Sequence, residues 1–342
     1  MNENTLEYGK FKEKRVQCVK GSYYMYLPKK LCEKYDIDNS KIVYMKRFED
    51  DSLLLKFEAK SQVKSKPFVI NIDRPQEETD NDLNFNLEYD YLLNQLLTAY
   101  IIGHSQIILR KKEKIPLIFR NKIHTMIKRL YGMVVISEKP NEIIVEEHLE
   151  NMDIKIFCKQ LLSKIHIVMT NFIDIVENYE SDENNDELLN ELIKQDDHID
   201  EHRYTVEHLV HKTLNNPLKT QTSYVECLHY SEMTRFIERI GDYLVKMSKL
   251  LMIKKIENRE YILEQLNVML ETYKTIQDFF DQNDSFKLWK FIQEIQDYAL
   301  KIKKIINGKH ADTEYLVPIR RICNICSDIV EIRINNIISH KQ

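Results

Sequence analysis

The scarcity of glycine constrains this chain most. Only 6 of its 342 residues are Gly, against an average of about 7% in globular proteins. Glycine is the default residue wherever backbone must enter the left-handed region, so a chain this poor in it favours long elements joined by few tight turns. From Asn151 onward apolar residues recur three and four apart, as on the packed face of a helix. The pattern breaks near 181–185, at Asn216-Pro217, at Glu257-Asn258, at Asn283-Asp284 and over 308–313. This spacing predicts helices over 152–179, 187–214 and 224–254, then over 259–281, 286–307 and 315–338. The two sets of three form an internal repeat, a pair of three-helix bundles over 151–256 and 257–342.

Apolar residues make up 43% of the chain and charged residues 30%, a balance that supports a globular protein with a sizeable core. There is no apolar run of the roughly 18 residues a membrane span needs, and residues 1–20 are charged with no signal-peptide core. The expectation is a cytoplasmic protein without membrane insertion. The six cysteines, at 18, 32, 158, 227, 323 and 326, are spread too widely to read as a disulfide framework, so reduced thiols are expected. Cys323 and Cys326 make a lone CxxC within the helical pattern Ile319, Ile322, Ile325, Ile329, which favours buried thiols over zinc or redox chemistry.

The first 150 residues read differently. Strand-like runs surround Lys20-Gly21, Pro28 opens a short helix, and a second hairpin follows over 41–57, turning at Glu49-Asp50-Asp51. The order over 10–60 is ββαββ. Residues 1–66 hold 15 Lys plus Arg against 10 Asp plus Glu, a net +5, and the remainder is −9. Residues 60–86 read as a polar linker with one strand inside, 68–72. Beyond it come a helix over 89–102, a strand over 106–109, a helix over 115–131 and strands over 134–137 and 142–146, so 66–150 forms a small α/β connecting domain.

Two carboxylate pairs carry the candidate chemistry: Asp196 with Asp200, and Glu238 with Asp242. At i and i+4 both members of a pair lie on one helix face, roughly 6 Å apart. Like charges so placed repel, and either solvent, basic neighbours such as Arg203, Arg235 and Arg239, or a cation must neutralise them. Oxygen donors favour a hard or borderline metal: Mg, Mn, Fe or Zn. His198 and His202 are supplementary donors at best. His208 and His211 read as residues of a solvated face, and His104 as a cap or surface residue.

The words Gln195-Asp196-Asp197-His198-Ile199-Asp200 and Phe236-Ile237-Glu238-Arg239-Ile240-Gly241-Asp242 resemble the two metal-binding signatures of PhoU, the phosphate-signalling family. The resemblance implies a surface metal site from Asp196, Asp200, Glu238 and Asp242. In the second bundle Asn324 stands opposite Glu238, Asp328 opposite Asp242, and Gln293 with Asp297 replaces the Asp196 pair, so a second metal is not expected. The ββαββ order, with Arg15-Val16-Gln17, Gly21-Ser22 and Leu27-Pro28-Lys29-Lys30, is similar to the SpoVT-AbrB swapped-hairpin DNA-binding fold. Leu97-Thr98-Ala99-Tyr100-Ile101-Ile102-Gly103-His104 and the elements after it are similar to the connecting segment of archaeal PhoU-like regulators that carry such a head.

Together the resemblances imply a phosphate-responsive transcriptional regulator, negative in phosphate uptake, that is a homodimer through its head. It would bind double-stranded DNA through Arg15, Lys20, Lys29, Lys30 and Arg47, by neutralising phosphates. The alternative is an adaptor that acts on a phosphate ABC transporter ATPase or a sensor kinase without touching DNA. Catalysis is not expected: the pair Glu226 and His229 lacks the mate that a carboxylate-bridged metal enzyme requires.

Overall fold

The computed structural model describes residues 15–38, 42–47, 52–57, 67–73, 82–148, 153–179, 185–215 and 222–339. The chain divides into two compact units, Met1–Lys66 and Pro67–Gln342.

In the first unit β1 (Gln17–Val19) pairs antiparallel with β2 (Ser22–Tyr24). Lys20 and Gly21 both have positive φ, 52° and 82°, the backbone a two-residue hairpin needs and one that glycine adopts without strain. The second strand stops at Tyr24, so Met25, Tyr26 and Leu27 of the apolar stretch that follows it lie outside the pairing. Pro28 then sets α1 (Lys29–Tyr35), closed by Asp36 in the left-handed region. A second antiparallel hairpin joins β3 (Val43–Arg47) to β4 (Leu53–Phe57); its expected turn at 49–51 lies outside the described residues. The ββαββ order is as the sequence predicts. The two hairpins form separate two-stranded sheets, and large apolar side chains on them are open, Tyr23 being 77% and Met45 67% exposed.

The second unit opens with a four-stranded sheet, ordered β5 (Phe68–Asn71), β6 (Gln106–Arg110), β8 (Glu142–Glu147), β7 (Met133–Lys139). β5 runs parallel to β6, and the other pairs are antiparallel. Period-two alternation sends Ile107, Leu109, Ile143 and Val145 to one face, where they pack with Leu96 and Tyr100 of α2 (Asp82–Ile101) and Phe119 and Ile123 of α3 (Leu117–Arg129). The helix α2 begins seven residues before its expected start. The last five residues of the anticipated linker, 82–86, are therefore helix, and the strand expected within it is β5; Asp82 suits a first helical turn, and Asn84 and Asn86 mask the apolar period.

The six expected helices are present: α4 (Ile154–Asn178), α5 (Asn185–Asn215), α6 (Tyr224–Ile253), α7 (Arg259–Phe279), α8 (Ser285–Asn307) and α9 (Thr313–Ser339). Their N-termini show why they start where they do. Asp153, Asn258 and Asp284 each accept a first-turn N–H, and Ser223 with Glu226 forms a reciprocal capping box, 3.1 and 2.9 Å. Helices α4, α5 and α6 pack on one another, and α9 packs on α7 and α8; α6 against α9 and α4 against α7 join the two sets. One continuous core therefore runs through both bundles, from Leu161 and Phe172 to Tyr273 and Ile322. Cys323 and Cys326 are buried in it, their thiols pushed up by desolvation, Cys323 to about 12, and all six cysteines are free. Among the described residues no helix is long and apolar enough to cross a membrane.

Candidate functional site: a carboxylate face on α5 and α6

The candidate site sits on the antiparallel pair α5 and α6. Ile199 of α5 and Ile237, Ile240 and Leu244 of α6 face the core, and that rotation brings Asp196, Asp200, Glu238 and Asp242 to one side of the seam. Gly241 permits the close approach. A Cβ there would stand 2.9 Å from Ile199 Cδ1 and 3.2 Å from Ile165 Cδ1. Alanine would need only small shifts of two flexible methyl ends and gains roughly 1 kcal/mol of helix propensity. Gly241→Leu overpacks the seam and is expected to destabilise by about 1–3 kcal/mol in chemical denaturation, with Gly241→Ala close to the parent.

The four carboxylates are not electrically equivalent. Burial, then repulsion from Asp242, raises Glu238 to about 7 despite the opposing pull of Arg203. Asp196 is raised by burial and by Asp242 and Asp200, and Asp242 by burial and Asp200. Asp200 is the best compensated member: Tyr204 Oη donates to it at 3.0 Å, and Arg203 and Arg129 lie at 3.3 and 3.6 Å. Arg203 reaches further, to Glu238 at 3.7 Å and Glu207 at 3.6 Å. Asp196 and Asp242 make no ion pair within 4 Å among the described residues.

Basic neighbours thus compensate one side of the face and leave the other short of positive charge. Of the three arginines expected as partners, Arg203 pairs with the face, Arg239 acts on Asp242 by charge alone, and Arg235 instead holds Glu207 at 2.9 Å. His198 is committed to Glu201 and His202 Nδ1 to the His198 carbonyl. Among the described residues no three His, Cys, Asp or Glu side chains close around a point that would hold a metal ion. In kind, the all-oxygen, mutually repelling donors fit a hard cation, with Arg203 and Arg129 as the competing charges.

Other residues of this region were not legible in local spacing. Arg129 comes from the end of α3, in the α/β layer, and grips Asp197 at 2.9 Å as well as Asp200. His208, read from sequence as solvated, is completely buried. Its Nδ1 lies 2.6 Å from the Tyr100 carbonyl, its Nε2 3.0 Å from Glu147 Oε1, and its ring stacks on Tyr100. The misreading arose because the partners lie 108 and 61 residues away, in elements the α5 pattern does not reveal. His211, by contrast, is partly exposed, and His104 ends a helix behind Gly103 and rests on Phe68. Glu226 serves as the α6 capping residue and His229 is buried beside it in sequence.

The candidate nucleic-acid residues all belong to the first unit and are exposed: Arg15 precedes β1, Lys20 lies in the first turn, Lys29 and Lys30 open α1, and Arg47 ends β3. Lys29 makes a loose pair with Glu33 at 3.7 Å.

A helical bundle bearing an acidic face on adjacent helices is the class this unit defines. Residues 165–251, which contain all four carboxylates, match the PhoU domain family. The phosphate-specific transport system accessory protein PhoU homolog 1 of Thermotoga maritima is 27% identical over 152 residues, 42% of this chain and 64% of the relative. The chain thus spans less than two thirds of that relative's length. The crystal structure of the phosphate transport system regulatory protein PhoU from Streptococcus pneumoniae is a distant likeness: TM-score 0.46, 15% identity, over 54% of this chain and 93% of that one. Residues 165–251 of the helical region are thus PhoU-like, and β-rich elements precede that region in the chain.

Proposed function

We propose that the chain is a non-enzymatic regulator of phosphate transport, an adaptor whose PhoU-like helices engage a component of the transport system. The match of the α4–α6 segment to the PhoU domain carries this reading, and the accessory role in the Thermotoga relative's name supports it. Asp196, Asp200, Glu238 and Asp242 would hold a divalent or trivalent cation, Mg, Mn, Fe or Zn. Bound there, a cation neutralises the acidic face and offers a Lewis-acidic point to an anionic or protein partner. Arg203 would release Glu238, while Tyr204 and Arg129 keep Asp200 oriented. The second bundle, with Asn324 and Gln293 in place of carboxylates, would not hold one.

The adaptor reading is tested by presenting the purified chain to a phosphate transporter ATPase and a sensor kinase from the same organism. A complex with either, weakened at least tenfold by Asp196→Asn with Asp242→Asn, is expected. An absence of any complex at tens of micromolar removes it.

A second reading keeps the DNA-binding, AbrB-like head of a transcriptional regulator. It is favoured by the ββαββ order, by exposed Lys20, Lys29 and Lys30, and by two marginal two-stranded sheets with open apolar side chains, which suit an intertwined homodimer. Duplex binding that falls steeply with salt and is lost in Lys29→Ala/Lys30→Ala is its expected signature. Salt-insensitive or absent binding excludes it.

A further inference from the structure

A cleft of about 600 Å³ opens where the end of α3 meets α4 and α5. It lies within the size range of small-molecule sites and holds no member of the carboxylate face. Its lining separates into spent and unspent groups. Arg129 pairs with Asp197 at 2.9 Å and more loosely with Asp200 and Glu201 at 3.6 and 3.9 Å, its Nε making no hydrogen bond among the described residues. Asp153 caps α4 through Lys155 N at 2.8 Å, and Thr205 donates to the Glu201 carbonyl at 2.7 Å. Lys128 and Gln160 have no partner among the described residues. His202 donates from Nδ1 to the His198 carbonyl at 2.9 Å, leaving Nε2 as the ring atom available to a ligand.

Apolar surface completes the wall. Tyr131 is half exposed and its ring stands edge-on to Phe157, centroids 5.4 Å apart, with exposed Ile156 also lining the cleft. An open aromatic ring offers a stacking platform for a flat heterocycle. The unspent ammonium of Lys128 supplies one point charge for an anion, which suits a phosphate. The Gln160 amide offers both a donor and an acceptor, and His202 Nε2 a further polar atom, for the edge of a base.

We propose that this cleft is a nucleotide-binding site, taking a heterocyclic base against Tyr131 and a phosphate at Lys128. None of those four carboxylates lines the cleft, although Arg129 lines it and also contacts Asp200, so the two sites adjoin; the test of the cleft needs neither a bound metal nor the adaptor reading.

The test is calorimetric titration of the full chain with AMP, and separately with adenosine and inorganic phosphate. AMP is expected to bind once per chain. Lys128→Ala should weaken AMP at least tenfold while leaving adenosine unchanged, and Tyr131→Ala should weaken both. Both replaced side chains are exposed, so the variants should unfold at the parental temperature, and Gln160→Ala provides a third variant expected to weaken adenosine. Lack of AMP binding at millimolar concentration overturns the proposal. So does binding indifferent to Lys128→Ala and Tyr131→Ala, or inorganic phosphate binding as tightly as AMP.

Discussion

His208→Ala is expected to destabilise the chain by about 3–5 kcal/mol, the cost of deleting a buried ring and leaving its buried hydrogen-bond partners short of a mate. His208 is completely buried, and both its ring nitrogens face oxygen acceptors, the Tyr100 carbonyl and Glu147. Alanine removes both contacts and the stacked ring. It leaves the Glu147 carboxylate, whose side chain is 3% exposed, with Lys212 alone at 2.6 Å. The pH dependence identifies the cause. Burial by itself would raise Glu147, but hydrogen bonds from His208 and Lys212, reinforced by their charge, hold it at about 2. A carboxyl depressed in the folded state stabilises folding above its unfolded value near 4.5, and that contribution is lost as pH falls toward 2. Urea denaturation followed by helical circular dichroism should therefore show the gap between parent and variant narrowing from pH 5 downward. A loss under 1 kcal/mol at pH 7 would mean that the α/β layer is joined to the helices by other contacts.

Glu238→Gln should act in the opposite direction, raising stability by about 2 kcal/mol at pH 8 in the presence of a chelator. The Glu238 side chain is only 21% exposed, and burial and Asp242 raise it to about 7. Between about 4.5 and 7 the folded chain binds more protons at this position than the unfolded chain. Stability consequently falls as pH rises through that window, and the penalty is complete at pH 8. Glutamine keeps the shape and does not titrate, so the gain should shrink at pH 5, where the parent's Glu238 is protonated. A variant less stable than its parent at both pH values would show that the Arg203 contact outweighs the repulsion.

The helical architecture was largely legible because it depends on local signals: a 3.6-residue apolar period, few glycines, and breaks such as Asn216-Pro217, Glu257-Asn258 and Asn283-Asp284. The i,i+4 spacing put the two members of each carboxylate pair on one helix face, whereas the meeting of the two pairs was implied only by the family resemblance. What escaped were contacts made by tertiary packing. Arg129 reaches Asp197 from another layer, and nothing around Lys128-Arg129 marks it as part of an acidic site. His208 sits in a helix with polar neighbours, and only Tyr100 and Glu147 reveal that its face is covered. The early start of α2 was hidden because Asp82, Asn84 and Asn86 resemble linker composition. Repeat boundaries gave two bundles but not their shared core, which depends on α6 meeting α9.

The most direct measurement of the central claim, a cation site on the α5–α6 face, is calorimetric titration with Mn²⁺ at pH 7 in two buffers of different ionisation enthalpy. One ion per chain should bind and displace protons from Glu238, which is raised to about 7, so the apparent heat should change with the buffer. Asp196→Asn and Asp242→Asn should each weaken binding at least tenfold, and Glu238→Gln should abolish the buffer dependence. Binding unaffected by all three substitutions, or none at millimolar Mn²⁺, would contradict the claim and leave the face as an acidic surface balanced by Arg203 and Arg129.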